Sequence, residues 1–309
     1  MVTTYLIGTG GWTYFPLKPT LKAYSKVFNF VEVNSTFYKI PDAQTVQTWR
    51  RSVPSDFTFT VRCHQSLTHK IGLIPVDDAY AVFSQMIDLC RVLNAPFLHL
   101  ETPERYTFDR EEVKVTRDFF STVDFKGTSL AWEIRSSLSD KLVNLMRDFN
   151  IVHSTDLSRE QPALASDTLY TRLFGKGRHN IYQFTDDELI ELDQKTLKAE
   201  AKTAIASFHG IRMNNDALQL KKYKETGRFP VVKRFGVASA KTVLSEDARF
   251  PSSKEELIED QGWKVIDLTR SKRIHLSEWL AKIPEKTYRN LEEAVKELEA
   301  SLQQIHKQS

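Results

Sequence analysis

Apolar residues recur over the first 210 positions in short runs, separated by longer stretches with helical spacing. "TYLIGT", "NFVEVN", "FTFTVRC", "PFLHLE", "TSLAWEI", "NIVHS", "TLYTRLF" and "TAIASFH" each read as a strand, near residues 4–9, 29–34, 57–63, 96–101, 128–134, 150–154, 168–174 and 203–209. Between most of them lie amphipathic stretches, at 43–52, 77–93, 109–120, 138–148, 185–201 and 215–225. In the second of these, Tyr80, Phe83, Met86, Ile87 and Cys90 fall on one helical face. Eight strands alternating with helices predict parallel β/α units, and eight such units predict a closed TIM-like (β/α) barrel. The alternation fails once. "LSREQPALASD", between the sixth and seventh strands, is too short and irregular for a covering helix, so the barrel is expected to be irregular there.

After about residue 230 the pattern changes. The connector "RFPVVKRFGVASAKTVL", basic at Lys233 and Arg234, leads into a helix. Ser252 with Glu255 and Ser253 with Glu256 have capping-box spacing. "GWKVIDL" reads as one strand, a basic turn holds Arg270, Lys272, Arg273 and His275, and a last helix starts at Asn290. The expected organisation is a barrel domain over 1–230 and a small α-rich module over 231–309.

Polar residues interrupt the barrel pattern in a regular way. A barrel strand points alternate side chains inward, and an ordinary interior is filled by Val, Ile and Leu. Here polar residues spaced by two recur at the strand ends: Glu32 and Asn34, Arg62 and His64, His99 and Glu101, Glu133 and Arg135, Ser154 and Asp156, with Arg172 and His209 on the last two strands. Any one of them reads equally well as a surface residue or half of an ion pair. Recurrence on five strands favours a polar ring at the carboxyl ends, where barrels of this class place their active sites.

Composition sets limits on this picture. A hydrophobic fraction of 41% and a charged fraction of 27% fit a globular protein with a real core, and no apolar run approaches a membrane span. The amino terminus lacks the pattern of a signal peptide, and two cysteines, Cys63 and Cys90, do not make a disulfide framework, so a cytoplasmic setting is expected. A net charge of +3 is compatible with an anionic partner without demanding one. No nucleophile elbow, P-loop, HExxH or CxxC occurs, and "GTGGW" lacks the spacing of a dinucleotide fingerprint.

Several segments carry a resemblance. "IGTGGWTY", "VEVNSTFYKIP", "FTFTVRCHQSLTH", "WEIR", "YTRLFG" with "YQFTDDEL", and "MNNDA" resemble the YecE-like family, domain-of-unknown-function family 72, over roughly residues 5–225. The resemblance implies a TIM-barrel-like fold with a polar cleft at one end and no settled reaction. The family's recurring polar positions fall on Glu32, Asn34, Tyr38, Glu133, Arg135, Asp156, Arg172 and Asn214. The chain departs from the family pattern at "HLETPERY" and "RCHQ", which makes His99 and Glu101 its own contribution. The C-terminal stretch resembles, more weakly, domain-of-unknown-function family 2795.

Two chemistries fit such a ring. The leading expectation is a hydrolase of nuclease type, acting on a phosphate-containing substrate with DNA or RNA first among candidates. Glu32, Glu133 and Asp156 would be the catalytic carboxylates. Asn34, Tyr38, Arg62, His64, Arg135, Arg172 and Asn214 would bind substrate, since guanidinium groups match phosphate geometry. His99, Glu101 and His209 would be the ligands of a divalent metal, if one is used. The alternative is metal-free acid/base chemistry on a sugar or sugar phosphate, with Glu32 and Glu133 as the carboxylate pair and Trp12, Tyr14, Phe37 and Tyr38 as stacking surfaces. A non-catalytic barrel that binds a metabolite or partner is also compatible with the sequence.

Overall fold

The computed structural model describes residues 3–16, 18–178, 180–231 and 234–308, with side chains described to residue 302. Lys233 of the basic connector lies outside the described residues. The chain divides into two compact units, residues 1–173 with 194–209, and residues 174–193 with 210–309.

The first unit is the barrel. Its elements in chain order are β1 (Thr4–Thr9), α1 (Leu21–Tyr24), β2 (Phe30–Val33), α2 (Ala43–Arg51), β3 (Thr58–Arg62), α3 (Asp77–Leu93), β4 (Phe97–Thr102), α4 (Arg110–Thr122), β5 (Ser129–Ile134), α5 (Asp140–Asp148), β6 (Val152–His153), β7 (Thr168–Leu173), the end of α6 (Asp186–Lys198), and β8 (Thr203–Phe208). All eight strands are parallel, in the order β6-β5-β4-β3-β2-β1-β8-β7. The ring closes through one bridge, Thr155 to Thr171, where Arg172 N donates to Thr155 O at 3.1 Å. The irregularity expected between the sixth and seventh strands is present. β6 has two residues, and the segment from 154 to 167 forms turns rather than a helix. Leu157 N finds its acceptor in Thr171 Oγ1 at 3.0 Å, so side chains supply pairing that the short strand lacks.

Period two explains the interior. Leu6, Phe30, Phe97, Ala131, Val152, Tyr170 and Ile205 pack together as one cluster toward the amino ends of the strands. Two residues further along the same strands stand Gly8, Glu32, His99, Glu133, Ser154, Arg172 and Ser207. One more step reaches Gly10, Asn34, Glu101, Arg135, Asp156 and His209. The barrel is therefore plugged by apolar side chains at one end and polar in the tiers above. Gly10 is required by its neighbour. A Cβ there would stand 2.3 Å from His209 Cε1, so the imidazole occupies the space a side chain would need.

The second unit contains the start of α6, then α7 (Met213–Thr226), α8 (Val237–Asp247), β9 (Ser252–Ser253), α9 (Lys254–Gln261), β10 (Val265–Asp267), β11 (Arg273–His275), α10 (Leu276–Leu280), β12 (Thr287–Tyr288) and α11 (Leu291–Gln308). The capping box is Ser253 with Glu256. Glu256 N donates to Ser253 Oγ at 3.2 Å, and Ser253 N to Glu256 Oε2 at 2.7 Å. "GWKVIDL" supplies β10, which pairs with a strand the sequence pattern hides, β11. Trp279, Leu257, Leu276 and Leu298 lie in its own apolar core. Residues 182–188 belong to this unit by direct bonds. Val265 N donates to Gln183 Oε1 at 2.9 Å, His275 Nε2 meets Gln183 O at 2.8 Å, and Arg273 Nε donates to Asp186 Oδ1 at 2.8 Å.

Candidate functional site

Arg172, near the carboxyl end of β7, organises the polar tier. Its side chain is 1% exposed. Nη1 donates to Glu101 Oε2 at 2.7 Å and to Glu133 Oε2 at 2.6 Å, and Nη2 stands 3.2 Å from Glu32 Oε1. Its Nε donates to His209 Nε2 at 3.3 Å. One guanidinium thus links carboxylates from β2, β4 and β5 across the barrel axis. Two further guanidinium groups complete the set. Arg62 donates to Glu101 at 2.7 Å and to Asn34 Oδ1 at 2.7 Å, and its guanidinium lies 3.7 Å from the Phe37 ring centroid. Arg135 donates to Glu133 Oε1 at 2.9 Å and stands 3.3 Å from Glu101 Oε1.

Three carboxylates (Glu32, Glu101, Glu133) face three guanidinium groups (Arg62, Arg135, Arg172), so the formal sum is zero. The histidines do not change it. Burial, and then the Arg172 charge, push His99 down to about 3. Burial first, then Arg172, also lowers His209. His69, which stands 3.8 Å from Glu101 Oε1, is lowered mainly by burial against the attraction of that carboxylate. In all three the shift favours the neutral imidazole.

The carboxylates differ in role because they differ in access. Glu32 is fully buried, accepts from Tyr170 OH at 2.8 Å, and has His209 Nε2 at 3.4 Å. Burial alone would raise its pKa, but Arg172 and then His209 outweigh burial and hold it well below the ordinary range. Glu101 is also buried and is lowered in spite of burial, with Arg172 the largest opposing charge. Glu133 retains 13% side-chain exposure; against burial, Arg172 and then Arg135 bring it to about 2. Beside it Arg135 is 44% exposed, so this pair is the accessible edge of the ring. Polar capacity remains unused inside. Arg62 Nε and His99 Nδ1 are buried without a hydrogen-bond partner, a cost of ~1–3 kcal/mol each in a purely structural core.

Most residues singled out from sequence converge here: Glu32, Asn34, Arg62, Glu101, Glu133, Arg135, Arg172 and His209 share this network, and His99 stands 4.0 Å from Glu133 and 3.1 Å from Ser154 Oγ. Others are spent locally. His64 Nδ1 meets Ser66 Oγ at 2.7 Å in a tight turn. Asp156 Oδ1 accepts from Ser158 N at 3.0 Å and from Ser158 Oγ at 2.6 Å. Tyr38 and Tyr14 are exposed, while Trp12 packs edge-on against Trp49. Asn214 belongs to the second unit, on the first turn of α7. The expected metal trio does not form a cage. Glu101 is occupied by guanidinium groups, and among the described residues no group of three or more His, Cys, Asp or Glu could hold a metal ion. Sequence reasoning passed over Tyr170, Thr60 and His69. Tyr170 was accessible to the period-two rule, being two residues before Arg172, and its hydroxyl pairs with Thr60 Oγ1 at 2.7 Å. His69 sits on a π-helical turn, Ser66–Ile71, where no strand period applies.

The profile of "Protein of unknown function DUF72" matches residues 6–227. The chain belongs to the DUF72 family. The match ends before α8 and leaves residues 228–309 outside it. Curated relatives include the UPF0759 protein YunF of Bacillus subtilis, 34% identical over 102 residues (30% of this chain, 35% of that protein). The UPF0759 protein YecE of Escherichia coli K12 is 33% identical over 64 residues (21% and 24%). The chain thus spans about a third or less of the length of these DUF72 relatives. Solved DUF72 structures share the fold. The Thermotoga maritima protein has a TM-score of 0.59 at 23% identity, covering 72% of this chain and 99% of that one. The Enterococcus faecalis protein has 0.57 at 18%, covering 72% and 98%. A D-psicose 3-epimerase, solved in the presence of D-fructose, aligns with a TM-score of 0.51 at 12% identity over 71% of this chain and 98% of that one, a likeness of fold alone. Among the described residues, no helix is long and apolar enough to cross a membrane.

Proposed function

We propose that the barrel is an acid/base enzyme for a small, uncharged polyhydroxylated substrate, a sugar or close relative, bound over the Glu133–Arg135 edge of the ring. The observation that carries this reading is the charge balance around Arg172. A phosphate ester would meet three guanidinium groups already neutralised by three carboxylates, two of them buried, and would have to displace one of them. A polyol needs no net charge. It needs donors and acceptors side by side, and the accessible edge offers both, Arg135 as donor and Glu133 as acceptor.

In this reading Glu133 takes a proton from a carbon next to the substrate carbonyl and later returns it to the substrate. Arg135 faces the oxygen on which charge develops. Held at about 2 against burial, by Arg172 and then Arg135, Glu133 is by itself a weak base. When the substrate oxygen engages the exposed Arg135, one of the charges that lower Glu133 is drawn away and its basicity rises. Glu32 and Tyr170 act behind the site as positioning residues for Arg172. The test is solvent exchange. Ketoses and aldoses incubated with the protein in heavy water are expected to gain deuterium at the carbon beside the carbonyl, and Glu133→Gln is expected to abolish the gain. No exchange above a protein-free control across the common hexoses and pentoses would remove the reading.

A further inference from the structure

The second unit carries a hollow that the barrel chemistry does not use. It encloses about 300 Å³, the lower end of the range for ligand pockets. Its floor is Phe229, Pro230 and Val231, with Val231 78% exposed. Its walls carry four cations, Arg228, Arg270, Lys272 and Arg273, against two acids, Asp186 and Asp267, a local sum of +2. Among the described residues, Arg273 is the one of the four with an ion pair. It pairs with Asp186 through Nε and Nη2, and its guanidinium lies 5.8 Å from the Phe229 ring centroid. Arg228, Arg270 and Lys272 are exposed.

Two of these come from one turn. Leu268 N and Thr269 N both donate to Lys272 O, at 2.9 and 3.1 Å, which closes the hairpin between β10 and β11 and presents Arg270 and Lys272 together. Arg228 comes from the segment after α7, whose Phe229 stacks on Tyr223 at 4.8 Å. Phe235, 41% exposed, has the Arg270 guanidinium 5.7 Å from its ring. Solvent-facing cations interleaved with exposed aromatic and apolar surface are the composition that tracks a phosphate backbone while offering ring faces to unpaired bases. A metal or a compact anion alone would have no use for the apolar floor.

We propose that this hollow binds single-stranded nucleic acid, with Arg228, Arg270 and Lys272 on successive phosphates and a base against the Phe229–Val231 floor. The site lies outside the part of the chain that matches DUF72, apart from Asp186, and it stands independently of the sugar reading of the barrel. The hairpin turn explains why a basic cluster was legible in the sequence without its apolar floor, which comes from a segment some forty positions earlier.

The test is fluorescence anisotropy of a labelled oligothymidylate with the full chain. Three phosphate contacts at ~0.7 each give a log–log salt slope of about 2, so a fourfold rise in salt weakens binding about 20-fold. The combined variant Arg228→Ala, Arg270→Ala, Lys272→Ala is expected to lose most of the binding and nearly all of that salt dependence, with far-UV circular dichroism unchanged. Lys272→Glu alone, at an exposed turn, is expected to weaken binding severalfold and covers the case in which the triple variant does not fold. Wild-type protein that fails to bind at low salt overturns the proposal. So does equal binding by Lys272→Glu, or displacement by poly-glutamate at the same charge concentration, which would point to an acidic protein partner instead.

Discussion

Replacing Arg172 with methionine keeps much of the volume and removes the charge. Glu101 would retain Arg62 and Arg135, and Glu133 would retain Arg135, but Glu32 would have no guanidinium partner. The ring would hold three carboxylates against two guanidinium groups, with the deficit at a side chain that is fully buried. Breaking a buried charge pair from one side costs about 3–5 kcal/mol. For a unit of this size each kcal/mol moves the melting temperature by about 2–4 °C, so a fall of roughly 6–20 °C is expected in calorimetry. The pH dependence has a definite sign. In the wild type Glu32 is held well below the ordinary range, so its contribution is present at neutral pH and is lost as pH falls through that depressed value. In the variant burial acts almost unopposed and the folded-state pKa rises above the unfolded one. The penalty then applies at neutral pH and is relieved by protonation as pH falls. The gap between variant and wild type is therefore expected to narrow from pH 7 to pH 5. Adding Glu32→Gln to Arg172→Met is expected to restore a substantial part of the loss. A deficit below 1 kcal/mol, or one that stays constant with pH and is not rescued, would refute the assignment of Arg172 as counter-charge to buried carboxylates.

Further outcomes follow from other contacts. Tyr170→Phe removes the hydroxyl that donates to Glu32 at 2.8 Å and should cost ~1.5–3 kcal/mol in urea unfolding; an unchanged midpoint would argue that the phenol does not serve the ionised carboxylate. Ser253→Ala deletes one half of the capping box and should lower the stability of the second unit by ~0.5–2 kcal/mol, read by hydrogen exchange in α9. Burial pushes the Cys63 thiol up to about 12 and raises Cys90 as well, so native protein at pH 8 should react with a disulfide reagent only as fast as it unfolds. Prompt labelling of either thiol would contradict that burial.

The barrel was legible because its signal is local. All eight strands occur within a few residues of where alternation and apolar runs place them, and the missing helix after β6 is visible as the short, irregular stretch "LSREQPALASD". The ring was legible for the same reason, since period two carries Glu32, His99, Glu133 and Arg172 to one tier once the barrel is assumed. What the pattern could not carry was which charges meet. Counting Arg62, Arg135 and Arg172 as three free phosphate ligands required not knowing that each faces a carboxylate from another strand, Glu101 in all three cases. His69 reaches Glu101 from a π-helical turn, which has no strand register to follow. The second unit depends on bonds between residues 82 to 92 positions apart, such as Gln183 with Val265 and His275, and no local composition announces those.

The central claim is that the Glu133–Arg135 edge is a binding site for an uncharged polyol. Saturation-transfer NMR on the full chain with a panel of ketoses and aldoses tests it most directly. The account predicts transfer to the ring protons of at least one sugar in the wild type and its loss in folded Glu133→Gln. Absence of transfer from folded wild-type protein to every sugar, or transfer that survives intact in the variant, would contradict it.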